Sequence, residues 1–196
     1  MPTQILYPNA AGDLTQFPTV EPSSINHFQA VDETSADDDT SYIESGTDEL
    51  TNDYHIVIKE NSTITEVQKG NSTSYVTYTH EFTTKPSDSS AFTVTDINNL
   101  QIGVNFTGPD NPTDQTDLFN IEDWPHNSGD TINSITVSAR YKDSQAAASL
   151  NKMRCTQVFV TVDYTAAPGP TTGPFKIQAG AKLKITSGKF KIGEIE

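Results

Sequence analysis

The chain has 196 residues, a formal net charge of −14 and one cysteine, Cys155. That length holds one all-β domain with a buried core plus extensions, and a single cysteine excludes an intrachain disulfide. The charge excludes the basic footprint that nucleic acid requires, and no apolar run is long enough to span a bilayer, so neither nucleic acid nor membrane is expected as a partner.

Thr, Ser, Asn and Asp are abundant, Val, Ile, Tyr and Phe supply most of the large apolar side chains, and Leu is scarce. Strand formers therefore outweigh helix formers. Residues 1–26 carry Pro2, Pro8, Pro18 and Pro22, which suits an arm lying on a surface more than a regular element. Ile5, Leu6, Tyr7 and Phe17 are its pins. No charged, apolar and small-residue leader follows Met1, so no ordinary secretion signal is expected.

The body is expected over residues 27–165. It opens on Asn26–Glu33, where Phe28 and Ala30 share a face, then the acidic turn Asp37-Asp38-Asp39 and a short strand Thr40–Glu44. Tyr54, Ile56 and Ile58 alternate with His55, Val57 and Lys59, and Ser62–Val67 forms a second strand. After a turn at Lys69-Gly70-Asn71, Tyr75–Phe82 alternates again, so that these strands read as a meander. Asp96–Leu100 reads as one helical turn capped by Asp96, leading into Ile102, Val104 and Phe106 on one face of a strand. Gly108–Thr116 reads as a long exposed loop. Asp117–Pro125 carries Leu118, Phe119, Ile121 and the sole Trp124; Ile135, Val137, Ala139 and Tyr141 alternate next, and Asp143–Leu150 is Ala-rich. The strongest strand is Arg154–Thr165, with Val158, Val160, Val162 and Tyr164 on one face. Cys155 lies within it and reads as a buried structural thiol. About eight strands result, and their spacing gives the fold class: an all-β, jelly-roll-like antiparallel sandwich with an N-terminal arm and a C-terminal β-hairpin appendage.

Residues 166–174 form a Pro/Gly linker to that appendage, residues 175–196. Residues 166–196 hold five Lys and two Glu, a net of +3, which leaves −17 on residues 1–165. Phe175, Ile177, Ala179, Ala181, Leu183 and Ile185 alternate with Lys176, Lys182 and Lys184, and beyond Ser187-Gly188 the apolar positions become Phe190 and Ile192. This parity change is what a two-residue hairpin loop requires. An isolated hairpin is marginal in water, and facing lysines weaken it. Phe175, Ile177, Leu183, Ile185, Phe190 and Ile192 are therefore expected to pack on a partner with an apolar groove and nearby negative charge.

Several segments resemble virion structural proteins of tailed phages and archaeal viruses: Tyr7–Asp13, Val31–Glu33 with Asp37–Ile43, Asp96–Val104, Ile132–Val137 and Arg154–Thr165. The resemblance implies a carbohydrate-binding-module-like jelly roll of the tail, fibre or head-decoration type, located in the virion and assembled in the host cytoplasm. It implies other virion proteins and copies of itself as partners, and it carries over no catalytic residues.

Three constellations are candidates for a site. Asp37 and Asp39, in the densest carboxylate cluster, are the candidate ligands of a structural Ca2+; the plain alternative is a solvated acidic turn, and no cofactor is otherwise required. Trp124 is the candidate platform for a host-surface glycan, set against a Trp that belongs to the core or an interface. His27, His55, His80 and His126 show no zinc spacing, and no nucleophile motif is present. Asn61, Asn71 and Asn105 match the N-glycosylation pattern, which arises readily by chance in a Thr-rich chain. The expected function is a non-enzymatic capsid decoration or fibre subunit anchored through its termini. The alternative is a tail-associated adhesion module that binds host glycan.

Overall fold

The computed structural model describes residues 2–46, 53–107, 115–144 and 152–168. Its longest strands are β10 (Thr131–Asp143) and β11 (Met153–Thr165), paired antiparallel along their whole length. In β11 Val158, Val160, Val162 and Tyr164 are buried, as the alternation predicts, but so are Met153 and Cys155 of the opposite parity. A bulge reconciles the two: Arg140 pairs with Gln157 and Tyr141 with Cys155, leaving Thr156 as an extra residue that turns the strand over.

Two antiparallel sheets form a sandwich. The remaining strands are β1 (Thr3–Leu6), β2 (Pro8–Thr15), β3 (Thr19–Glu21), β4 (Tyr42–Glu44), β5 (Asp53–Glu60), β6 (Thr63–Lys69), β7 (Val76–Phe82), β8 (Gln101–Thr107) and β9 (Gln115–Ile121). One sheet runs β3-β4-β11-β10-β7, with β1 also on β11, and the other runs β2-β9-β8-β5-β6. Side chains at period two from both sheets meet between them, Val137, Val160 and Tyr141 from one and Ile56, Val104 and Phe119 from the other. A run of rings crosses this core. Phe106 meets Tyr54 edge-on at 5.4 Å, Tyr54 stacks on Tyr141 at 5.5 Å, and Tyr141 stacks on Tyr78 at 4.5 Å.

Several expectations are corrected. Residues 3–21 do not lie on the surface as an arm. They form three strands, because β11 and β9 each have an edge that β10 and β8 leave open and the segment supplies the missing backbone partners: Thr3–Leu6 pairs with Asp163–Val160, and Pro8–Thr15 with Ile121–Asp117. The chain thus changes sheet at Tyr7. Eleven strands are described, more than the eight or so expected. His27–Ala30 is a 3-10 turn rather than an extended segment, since the Gln29 N–H donates to the Asn26 carbonyl at 3.0 Å and the Gln29 side-chain oxygen reaches back to accept the Asn26 N–H at 2.9 Å. The single helical turn is α1 (Val94–Asn98), and its cap is Thr93, not Asp96; Asp96 is the third helical residue and bonds back to Thr93. The 62–67 and 75–82 strands are not neighbours in a meander. β6 pairs with β5 and β7 with β10, on opposite sheets. Thr116 belongs to β9 and is buried rather than part of an exposed loop. The hairpin positions Phe175, Ile177, Leu183, Ile185, Phe190 and Ile192 lie outside the described residues, as do residues 108–114 and 145–151.

The edge of β11 opposite β10 is closed by three separate pieces of chain. β4 pairs with Arg154 and Cys155, β1 covers residues 160–163, and the segment 31–41 fills the gap between them. There the Val158 N–H donates to the Val31 carbonyl at 3.0 Å, Gln157 Nε2 to the Glu33 carbonyl at 2.7 Å, and Thr156 Oγ1 to the Ser41 carbonyl at 3.0 Å. The bulge is what aims Thr156 and Gln157 at this segment, and it thereby fixes the acidic turn.

Candidate functional site

The acidic turn is the most highly charged feature of the body, and β10 and β11 decide what it does. Lys142 and Arg154 are cross-strand partners, and like charges directly opposite one another destabilise a sheet unless acids lie between them. The acids come from 38–44. Arg140 donates two bonds to Asp38, at 2.7 and 2.9 Å, in a bidentate pair. Lys142 Nζ donates to both oxygens of Asp39 at 2.8 and 2.9 Å, and Arg154 Nη1 reaches Asp39 at 2.9 Å. Arg154 also donates to Glu44 at 2.6 and 3.0 Å, and Lys152 to Glu44 at 2.8 Å. Rings brace the cations: Lys142 lies 4.4 Å over Tyr75 and Arg154 4.0 Å over Tyr42.

The charge states follow from these contacts. The bond from Lys142 first, and that from Arg154, hold the Asp39 carboxyl below its ordinary value. Burial by itself would raise the Glu44 carboxyl, but the bonds from Lys152 and Arg154 outweigh it and hold Glu44 low. Glu33 behaves oppositely. Burial pushes it up, and the hydrogen bond from Ser41 offsets only part of that. Asp32 is likewise raised by burial.

Asp37 and Asp39, the candidate calcium ligands, do not converge. Asp37 Oδ1 accepts from the Ser41 hydroxyl at 2.9 Å and the Ser41 N–H at 3.2 Å, while Asp39 faces Lys142 and Arg154 on the other side of the turn. Among the described residues no group of three or more His, Cys, Asp or Glu side chains is placed to hold a metal ion. The arrangement is an ion-pair network that locks the turn to two strands.

Trp124 does not present a ring face as a glycan platform. It is 7% exposed, set edge-on to Tyr164 at 4.9 Å and to His126 at 5.2 Å. Its indole N–H donates to Asp130 at 3.2 Å, and the other oxygen of Asp130 accepts the Ala167 N–H at 2.8 Å. Trp124 therefore seals the end of the sandwich where the chain leaves β11. Cys155 is fully buried with its thiol pushed up to about 12 by desolvation, as fits a structural residue. Asn105 is buried in β8 and bonded to Thr116 and Glu66, whereas Asn61 and Asn71 are exposed.

Two groups escaped the sequence reading. The basic set Arg140, Lys142, Lys152 and Arg154 had a signal, since it holds four of the seven Lys and Arg of residues 1–165 and flanks one short connection. The pair His27 and Asp117 had none. They are 90 residues apart in sequence and meet at 2.5 Å, with Asp117 also accepting the Gln16 and Phe17 N–H groups at 2.5 and 2.9 Å.

No family model, curated protein or solved structure matches the chain. Among the described residues no helix is long and apolar enough to cross a membrane.

Proposed function

We propose that the protein is a non-enzymatic structural subunit of a virus particle, of the capsid-decoration or fibre type, held to its neighbours through the C-terminal segment 175–196. One observation carries this reading. Among the described residues the acids of the turn and the buried Asp117 are engaged with cations of the same body, Asp38 with Arg140, Asp39 and Glu44 with Lys142, Lys152 and Arg154, and Asp117 with His27. The apolar and basic alternation of 175–196 is the most strongly patterned stretch of the sequence outside the described residues. A body of −17 and a segment of +3 attract each other between subunits, and a jelly-roll-type sandwich is a rigid frame for such an anchor. Copies of the chain and other virion proteins are the partners, and the virion is the location.

Deleting residues 175–196 and measuring occupancy on particles assembled in host cells tests this reading. Loss of the subunit from particles is expected; full occupancy overturns the anchor.

A further inference from the structure

Strand β7 is an edge that the sandwich leaves unfinished. Its core-facing residues Phe82, His80, Tyr78 and Val76 lie opposite Ile135, Val137, Ala139 and Tyr141 of β10, and their cover thins in that order. Phe82 is 8% exposed, His80 and Tyr78 are half-buried, and Val76 is 37% exposed. Tyr78 is also the last ring of the stack that crosses the core. The edge strand of the other sheet gives little shelter, because the β6 residues facing inward with Tyr54, Ile56 and Ile58 are Lys69, Val67 and Thr65.

Among the described residues β7 pairs along one edge only. The seven residues Val76–Phe82 contain no Pro, no Lys and no bulge, three of the devices that keep an edge strand from pairing with another chain, and their one acid, Glu81, suits a Lys-bearing partner.

We propose that β7 takes residues 175–185 of a second copy as an added strand. The fit is one of pattern and charge. On one side Phe175, Ile177, Ala179, Ala181, Leu183 and Ile185 extend the core over Tyr78 and Val76. On the other, Lys176, Lys182 and Lys184 lie along the outer face beside Thr77, Thr79 and Glu81, on a body of net −17. Backbone pairing supplies the attraction and the alternation sets the register.

A second copy is the donor because a chain's own segment would have to reverse direction within a Pro-rich linker. The free side of β7 lies three strand spacings from β11, about 14 Å, and Phe82 is level with Val162 through Ile135, about 16 Å back from Ala167 at strand rise. Eight residue steps separate Ala167 from Phe175, about 26–29 Å at full stretch, so the diagonal of about 21 Å is within reach. An added strand that starts level with Phe82 must also run back along the sheet, however, and Pro168, Pro170 and Pro174 favour an extended, semi-rigid path over that reversal. A neighbour's edge carries no such demand.

The inference rests on the anchoring role of 175–196 and names the surface it anchors to. Its test uses the full-length chain and reads association by sedimentation and amide exchange in residues 76–82 by mass spectrometry. With rising concentration the chain is expected to self-associate, and exchange in 76–82 to slow at least about tenfold. Ile177→Asp with Leu183→Asp removes both effects, and so does Val76→Lys on the acceptor side, a change at an exposed position that leaves the segment untouched. A monomer whose β7 is protected at every concentration, or exchange in 76–82 that ignores both sets of variants, overturns the proposal. Either result is compatible with loss of particle occupancy on deleting 175–196, so the anchor and its acceptor fail separately.

Discussion

Asp117 and His27 meet at 2.5 Å, Oδ2 to Nδ1, across 90 residues of sequence, with the carboxylate wholly buried. The contact joins the centre of β9 to the turn that follows β3. Because Asp117 also accepts the Gln16 and Phe17 N–H groups, one buried carboxylate serves three donors, of which the Phe17 N–H is itself buried.

Replacing Asp117 by Ala strands those donors. The cost is expected near 3 kcal/mol, the scale of breaking a buried charged contact, and at roughly 2–4 °C per kcal/mol for a chain of this size the melting temperature falls by about 6–12 °C. His27→Ala, which leaves both backbone bonds to Asp117 in place, costs less than half as much. Thermal melts of the two variants check the order.

The acidic turn makes stability depend on pH in two opposed ways. Asp39 and Glu44 are held below their ordinary values, so their contribution is present above the unfolded values near 4 and is lost as pH falls through the lower folded values. Asp32 and Glu33 are raised by burial, so the folded state binds their protons first and stability rises as pH falls from 7 through their folded values. The melting temperature is therefore expected to peak in mildly acidic buffer and to drop steeply below about pH 4. Glu33→Gln flattens the rise without moving the acid limb, and melts from pH 3 to 8 measure both.

Gly103→Ala is expected to abolish soluble protein or to cost at least about 3 kcal/mol. A Cβ there would collide with the Asp117 carbonyl oxygen and lie 2.9 Å from its carbon, both backbone atoms of a paired strand that cannot turn aside. Soluble yield and a denaturant titration report the outcome.

Trp124→Ala is expected to cost about 3–5 kcal/mol as a core truncation. Trp124→Phe keeps most of the packing on Tyr164 but loses the bond to Asp130 and costs far less. If host glycan is offered to the intact protein, no Trp fluorescence change is expected, because the ring is already covered.

What the sequence revealed was whatever a short window determines. The alternations at Tyr54–Ile58, Ile102–Phe106, Ile135–Tyr141 and Val158–Tyr164 all became strands with the expected faces buried. What it concealed was longer in range or broken in phase. Met153 and Cys155 share the core with Val158 only because Thr156 is inserted between them, and nothing in the alternation announces an extra residue. The strands of 3–21 were hidden by Pro8 and by irregular pairing, since Ala11 lies opposite Phe119 and Thr15 opposite Asp117. β6 and β7 each read as strands, but β6 folds back on its neighbour β5 through a tight turn at Glu60–Thr63, while β7 joins the other sheet because its partner β10 lies far downstream, with Tyr78 opposite Ala139. The site followed the same division: Asp37–Asp39 stood out as charges, while the Arg140, Lys142 and Arg154 that claim two of the three come from more than 100 residues downstream.

The pairing of Thr3 with Asp163 has a consequence for how the protein is made. A ribosome adds about 5–20 residues per second, so the first strand emerges roughly ten to thirty seconds before the strand it must join. β2 likewise waits for β9, and β4 for β11. The sheet built on β11 cannot be completed on the nascent chain until Thr165 has been released, whereas β2-β9-β8-β5-β6 needs nothing beyond Ile121 and can pair first. The β11 sheet is thus the last part of the body to close, and the net charge of −17 on residues 1–165 opposes association of its waiting strands between chains.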